Sequence, residues 1–347
     1  MQKIKLNGRF YSHTHPTGMQ RYALEMVSRV GGGLEIVRPG PSLKGGMGHL
    51  WEQAYLPVAA RKSLLWSPNN TGPVAVSRQV VTIHDLIPLD HPEWFSPRFV
   101  ALYRWLLPRL VHKAQHLVAI SEFTRLRLIE GLRVDSSKIT VIPNGVDKAF
   151  RPQTPERINQ VRKALNLGDK PYVLCVGSVE PRKNLKGLLA AWAQLPFNIR
   201  KEYNLVLAGK SGRKEVFGDA GLDHVPEGAM FTGYVAQEDL PPLYSGAAVF
   251  AYPSLYEGFG LPPLEAMASG VPVVTSNNSS IPEVVGDAGV LVDPSDTQSI
   301  AEGLFRLMSR EDLRKDYSRR GIERAASLSW DVSAERTWTV LQREAAN

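Results

Sequence analysis

The sequence predicts an α/β protein built from two parallel-sheet domains, and three observations carry that reading. Short β-branched runs alternate with longer amphipathic stretches along nearly all of the 347 residues. Such alternation means parallel strands covered by helices. The pattern breaks once, at Pro143-Asn144-Gly145-Val146-Asp147 and then Arg151-Pro152-Gln153-Thr154-Pro155, a stretch rich in turn formers. The charge balance changes at the same place. Residues 1–149 carry 19 Lys and Arg against 10 Asp and Glu, whereas residues 150–347 carry 22 against 24. At roughly 100–200 residues per domain, the length suits two domains. We therefore expect two Rossmann-like domains, residues 1–148 and 149–329, with ligands bound outside the carboxyl ends of their strands and in the cleft the domains face across.

In chain order, the first domain offers strands at Lys3–Leu6, Leu34–Val37, Gln79–His84, His116–Ile120 and Lys138–Ile142. Its helices fall at Met19–Val30, Trp51–Arg61, Arg98–Lys113 and Glu122–Leu132, the last opened by Ser121, an N-cap residue. The second domain offers strands at Tyr172–Val176, Tyr203–Ala208, Met230–Thr232, Ala248–Tyr252, Val271–Thr275 and Gly289–Val292. Helices are expected at Leu185–Leu195, Glu238–Ser245, Pro262–Ser269, Ile281–Val285, Gln298–Ser309 and Arg314–Ala326. A last amphipathic stretch, about 330–347, carries Trp330, Val332, Trp338 and Leu341.

Composition removes several classes. Hydrophobic residues are 43% and charged residues 22%, so disorder is not the main state. A single cysteine, Cys175, excludes an intramolecular disulfide framework and a Cys-based structural zinc site. The opening MQKIKLNGRF lacks an apolar signal core, and no uncharged run approaches the ~18 residues of a spanning helix. A cytoplasmic location is the expectation. The basic first half suggests an anionic partner, namely nucleic acid, a membrane surface or a phosphorylated substrate, unless the charge serves solubility alone.

The most informative segment runs from Tyr252 to Val274. A strand ends near Tyr252, Glu257-Gly258-Phe259-Gly260 forms a loop, Pro262 suits a first helical turn, and Gly270 suits the stop. A strand, a glycine loop and a helix N-terminus together make an anion site. Gly258 and Gly260 let backbone N–H groups approach a phosphate or a sugar. Glu265, one turn into the helix, is placed to accept ribose hydroxyls, and Glu257 is placed to bond sugar hydroxyls. The bland alternative is a structural turn with two solvated glutamates.

This segment closely resembles the Glu-x7-Glu motif of family 4 retaining glycosyltransferases, which have the GT-B fold of two Rossmann-like domains. The resemblance covers Gly8 to about Trp330 and is densest at 171–295. A second segment agrees: Gly177-Ser178-Val179-Glu180-Pro181-Arg182-Lys183-Asn184 follows the first strand of the second domain. There the family sets an Arg/Lys pair against the donor diphosphate, Arg as a bidentate fork and Lys as a point charge. It looks like the subgroup that builds bacterial polysaccharides. Some relatives have an Arg after the first glycine, and here that residue is Ser178. The resemblance implies catalytic roles for Glu257, His84, Lys183 and Arg182. It implies donor contacts from Gly258, Phe259, Gly260, Leu261, Glu265, Lys210, Val235 and Gly18. His84 lies in Thr82-Ile83-His84-Asp85-Leu86 at a strand end, where the family has a His near the transferred sugar; the alternative is a hydrogen-bonded structural histidine. The family also packs its final helix back on the first domain.

Sugar transfer from a nucleotide sugar needs its diphosphate leaving group stabilised as charge builds on it. No Asp-x-Asp triplet and no His-Glu-x-x-His occur. The expectation is transfer without a metal or other cofactor, with Arg182, Lys183 and the helix start at Gly260 meeting the diphosphate. The resemblance further implies retention of configuration by same-face substitution, and its pattern points to GDP-mannose as donor. A glycan or polyprenyl-diphosphate-linked acceptor would then fall to the first domain. Helix 98–113, which mixes basic and aromatic residues, reads either as a peripheral contact with an anionic membrane at the inner face or as a core-packed helix with a solvated basic edge. The Trp51–Trp66 stretch is equally open.

Rival classes fit less well. A nucleic-acid binder would show aromatics amid basic residues in a recognised module, so no nucleic-acid partner is expected. A dehydrogenase would need Gly-x-Gly-x-x-Gly, and a P-loop would need a glycine where Asn204 precedes Gly209-Lys210-Ser211. A GT-B epimerase or phosphorylase stays open at this level.

Overall fold

The computed structural model describes residues 3–12, 18–40, 43, 45–209 and 225–347. The chain divides into two compact units. Unit 1 comprises Met1–Pro92, Pro97–Gly145 and Ser329–Asn347, and unit 2 comprises Glu93–Ser96 and Val146–Leu328.

Unit 1 holds a six-stranded parallel sheet of β1 (Ile4–Asn7), β2 (Leu34–Val37), β3 (Leu64–Ser67), β4 (Gln79–Ile83), β5 (His116–Ala119) and β6 (Ile139–Val141). The order is β2-β1-β3-β4-β5-β6. It reverses at β1, which lies between β2 and β3. Strands β3, β4 and β5 are buried along their whole length, as strands covered on both faces must be. Here β3 corrects the expectation of five strands. Leu64–Ser67 is too short and too uniformly buried to show alternation. Its Trp66 is fully buried and donates its indole N–H to Thr82 Oγ1 at 3.2 Å. That end of the Trp51–Trp66 stretch is core, not a membrane-facing surface.

The helix expected at Trp51–Arg61 is instead two, Gly46–Ala54 and Leu56–Ala59. Pro57 has no N–H for the i−4 carbonyl and its ring crowds the preceding turn, so the helix breaks at Tyr55. The helix Pro97–Lys113 buries Val100, Tyr103, Leu106, Leu107, Leu110 and Val111. It leaves Arg98, Arg104, Trp105, Arg109 and Lys113 exposed. Its apolar face is therefore core, and its outer face is basic with one tryptophan.

The helix Trp330–Ala346 lies in unit 1, capped by Ser329, whose side chain accepts from the Asp331 N–H. Trp330, Ala334, Val340 and Leu341 are buried. Arg29 pairs with Asp331 at 2.7 Å, and Gln115 donates to the Glu344 carboxylate at 2.9 Å. Where the chain leaves and re-enters unit 1 the backbones nearly touch: a Cβ on Gly145 would lie 2.0 Å from the Trp330 nitrogen.

Unit 2 holds a second parallel sheet of β7 (Tyr172–Val176), β8 (Asn204–Ala208), β9 (Ala229–Gly233), β10 (Val249–Tyr252), β11 (Val273–Ser276) and β12 (Val290–Val292). Its order, β12-β11-β10-β7-β8-β9, is the doubly wound order with the reversal between β7 and β10. A helix Pro155–Ala164, which the sequence reading does not include, follows directly on the turn-rich stretch that ends at Pro155. Thr154 caps it and Pro155 occupies its first turn, the same start signals used elsewhere. The ends of β7 and β8 approach so closely that a Cβ on Gly209 would fall 1.8 Å from the Gly177 carbonyl oxygen, and Gly209 has φ of +155°. Only glycine fits there.

Candidate active site

Ligands of doubly wound sheets bind at the carboxyl ends of the strands that flank the reversal. In unit 2 those strands are β7 and β10, and their two loops interlock. After β7 the chain makes a 3-10 turn, Pro181–Lys183, before Asn184, at φ 55°, caps the helix Leu185–Gln194 by accepting from the Gly187 N–H. After β10, residues 253–260 lead to the helix Leu261–Ala268. Leu255 N–H donates to the Arg182 carbonyl at 2.8 Å, and Ser254 Oγ lies 2.9 Å from the same oxygen.

The charged centre is the Glu257 carboxylate, 7% exposed. Arg182 Nη1 donates to its Oε2 at 2.9 Å and Lys183 Nζ to its Oε1 at 2.7 Å. Oε1 also accepts from Ser254 at 2.7 Å and from the Tyr252 hydroxyl at 2.9 Å. Lys183 further donates to the Tyr252 oxygen. Glu180 completes the set: it pairs with Arg182 Nε at 2.8 Å and accepts from Ser178. Burial pushes the Glu257 carboxyl up, but Arg182, Lys183 and the Ser254 hydroxyl outweigh it and hold it at about 2. Lys183 moves the other way for its type: burial and the Arg182 charge lower it against the pull of Glu257 and Glu180. Two cations on one carboxylate explain the glutamate, and burial beside a second cation explains the lysine. The alternative of two solvated glutamates is thereby corrected, since Glu265 is also buried, at 5% exposure.

The loop after β11 braces this centre. Ser279 Oγ accepts the Glu257 N–H at 3.1 Å. The Ser280 hydroxyl lies 2.9 Å from the Glu257 carbonyl and 2.8 Å from the Phe259 carbonyl. Asn278 Nδ2 donates to the Leu255 carbonyl at 3.0 Å. Gly260, at φ +111°, turns the chain into the helix, and a Cβ there would meet Ile281 Cδ1 at 2.6 Å. In the first helical turn Leu261 is half-buried, and Gly258 and Phe259 are buried just before it. Glu265, on the next turn, accepts from the Tyr244 hydroxyl at 3.0 Å. Val235, in the loop after β9, is buried at 7% exposure.

In unit 1, His84 follows β4 and is 4% exposed. Its backbone N–H donates to Asn70 Oδ1 at 2.5 Å, and its Nε2 lies 2.7 Å from the Pro68 carbonyl. A carbonyl only accepts, so Nε2 carries the proton. Burial lowers this histidine to about 4 despite that bond, so the ring is neutral near pH 7. Nδ1 has no hydrogen-bond partner among the described residues. Gly18 is exposed and opens the helix Gly18–Val30. Lys210 lies outside the described residues.

Sequence reasoning missed Tyr252, Ser254, Glu180, Ser279 and Ser280. One signal was available: Tyr252 and Ser254 are two apart at an extended strand end and so share a face. Among the described residues no group of three or more His, Cys, Asp and Glu is placed to hold a metal ion. No helix among them is long and apolar enough to cross a membrane.

Two six-stranded parallel sheets, one carrying a cationic pair at its reversal point, define a GT-B glycosyltransferase. Comparison with known proteins makes the class specific. Residues 157–324 match the family of glycosyl transferases group 1, and residues 63–150 match glycosyltransferase family 4. O-antigen chain mannosyltransferase B of Escherichia coli is 36% identical over 275 residues, covering 78% of this chain and 71% of that protein. The serotype-specific mannosyltransferase WbdA of Escherichia coli is 31% identical over 267 residues, 74% of this chain but only 32% of WbdA. The chain belongs to the family 4 glycosyltransferases. In fold it is similar to Anabaena HepE in complex with UDP and glucose, with a TM-score of 0.79, 19% identity and coverage of 99% of this chain and all of that one. It is also similar to WaaG, a glycosyltransferase involved in lipopolysaccharide biosynthesis, with a TM-score of 0.75, 16% identity and coverage of 97% and 99%.

Proposed function

We propose that the chain is a retaining mannosyltransferase that moves mannose from GDP-mannose to a glycan or polyprenyl-diphosphate-linked acceptor in surface polysaccharide assembly. The observation that carries the reading is the convergence of Arg182 and Lys183 on one buried carboxylate at the reversal point of the unit 2 sheet. The names of the mannosyltransferase relatives support the choice of sugar.

In this reading the donor diphosphate displaces Glu257 from the two cations. Arg182 and Lys183 then meet the charge that grows on the leaving group, and the N–H groups at Gly260 add to it. The carboxylate released from them bonds hydroxyls of the mannose. Glu265 holds the ribose, exchanging its Tyr244 hydrogen bond for ribose hydroxyls. The leaving phosphate takes the acceptor proton on the same face, so the configuration is retained without a covalent nucleophile. Fixed cations supply the neutralisation that a metal supplies elsewhere, so transfer proceeds in EDTA. His84, neutral, faces the sugar as a hydrogen-bond partner rather than an acid. The basic residues of unit 1 serve a lipid-linked acceptor and peripheral contact with anionic lipid at the inner membrane face.

A thermal-shift panel of GDP, UDP and dTDP tests the donor. A ligand at 100 times its Kd stabilises by about 2.7 kcal/mol, which raises Tm by on the order of 5 °C or more. Selective stabilisation by UDP or dTDP would overturn the GDP-mannose reading. Loss of turnover in EDTA, restored by magnesium, would overturn metal independence.

A further inference from the structure

The reversal point of the unit 1 sheet carries a polar cluster that the reading above does not use. β1 ends at Asn7 and β3 at Ser67, and beside them lies a fully buried carboxylate, Glu52, from the helix Gly46–Ala54. Its Oε1 accepts from Asn7 Nδ2 at 2.7 Å and Thr71 Oγ1 at 3.0 Å, with Arg9 Nε at 3.3 Å. Arg9 Nη2 donates to Thr71 Oγ1 at 2.9 Å. Burial raises the Glu52 carboxyl, but Arg9, His49 and Asn7 together bring it below its usual range, so it stays ionised.

The second oxygen, Oε2, is buried and faces His49 Nδ1 at 3.6 Å. That separation is an ion-pair contact rather than a hydrogen bond, and neither of these two buried atoms has a hydrogen-bond partner. The His49 side chain is still 22% exposed. A ring whose Nδ1 is turned inward to a fixed carboxylate presents its Nε2 edge outward, the arrangement by which a buried acid orients a working histidine. Anchoring the helix does not require it, because Asn7, Arg9 and Thr71 already hold Glu52. The same hydrogen-bonded edge runs on to His84, since Thr71 follows Asn70, the residue that binds the His84 N–H.

We propose that His49 and Glu52 form an acceptor-hydroxyl site, in which Glu52 orients the imidazole and Nε2 hydrogen-bonds a hydroxyl of the saccharide acceptor. This rests on the glycosyltransferase reading but not on the identity of the donor. A hydroxyl both donates and accepts, so either protonation of Nε2 pairs with it. His49 is thus an acceptor-contacting residue and Glu52 a positioning residue.

The test uses histidine-labelled ¹⁵N protein titrated with octyl α-mannoside, octyl α-rhamnoside, octyl β-galactoside and octyl N-acetyl-β-glucosaminide, with His49 assigned from His49→Gln. At least one glycoside is expected to shift the His49 Nε2 resonance saturably. The Kd for that glycoside rises about tenfold in His49→Gln, the scale of one lost hydrogen bond. Glu52→Gln, if folded, weakens it as well and broadens the ring signal. If no glycoside shifts the resonance, or if binding is the same in His49→Gln, the proposal is overturned. Failure of GDP to stabilise the protein would bear on the donor reading and leave this result standing.

Discussion

Lys183→Met separates the chemistry of the site from its stability. The substitution deletes a buried ammonium, 7% exposed, and keeps most of the volume. It does not strand the carboxylate. Glu257 Oε2 keeps Arg182 at 2.9 Å, and Oε1 keeps the Ser254 and Tyr252 hydroxyls at 2.7 and 2.9 Å. Burial and Arg182 lower Lys183, so its charged form is less favourable here than in water. A lysine lowered on folding contributes a destabilisation that is full below its folded value and is relieved as pH rises from there to the ordinary lysine range. Because the carboxylate stays paired with Arg182 and bonded by two hydroxyls, losing the ammonium costs about 1 kcal/mol rather than the roughly 3–5 kcal/mol of a stranded buried charge, and Tm moves by at most about 4 °C. Turnover loses the point charge that meets the leaving group, a loss of at least ~100-fold, or about 2.7 kcal/mol. Calorimetry and a nucleotide-release assay on the same samples decide. A Tm fall beyond about 8 °C, or a rate within about threefold of the parent, would refute the reasoning.

Glu257→Gln does the reverse to stability, because two cations lose their shared anion: about 3–5 kcal/mol, together with a ~100-fold loss of rate. The parent's Glu257 share is fully present above pH ~4.5 and lost as pH falls towards 2, so pH-dependent melting of the variant should lack that acid limb. His84, lowered to about 4 by burial, contributes stability that is complete above pH ~6.5 and falls away between 6.5 and 4. Its ring signals in imidazole ¹⁵N spectra should show an Nε2–H tautomer that does not titrate between about pH 8 and 5.5, and a midpoint above pH 6 contradicts this. Gly209→Ala would drive a Cβ into the Gly177 carbonyl at a left-handed φ, costing about 3 kcal/mol or more and lowering donor affinity through the displaced β7 loop. Unchanged melting would disprove the close approach.

Strand ends and helix starts were legible because each is written locally. Pro262 and Gly270 bracket a helix, and Asn184 sits where a cap is needed. What a residue meets across the fold was not legible. Glu257 read as a cleft-edge residue, yet four side chains drawn from two loops converge on it. Glu52 reads as an ordinary helix glutamate until β1 and β3 bring Asn7 and Thr71 to it. The strand β3 was missed because a four-residue buried run carries no period. The helix Pro155–Ala164 was missed because its start signals lay inside a stretch already read as turn-rich.

The discontinuity of unit 1 has a consequence for biosynthesis. The N-terminal sheet is translated first, yet the helix Trp330–Ala346, with its buried Trp330 and Leu341, belongs to that unit and emerges only after all of Val146–Leu328. Unit 2 is nearly continuous in sequence and can close on the ribosome as it is made. The first-made half must wait with an apolar seam open. A premature stop before Trp330 would thus damage the fold of unit 1, most of which is made before unit 2.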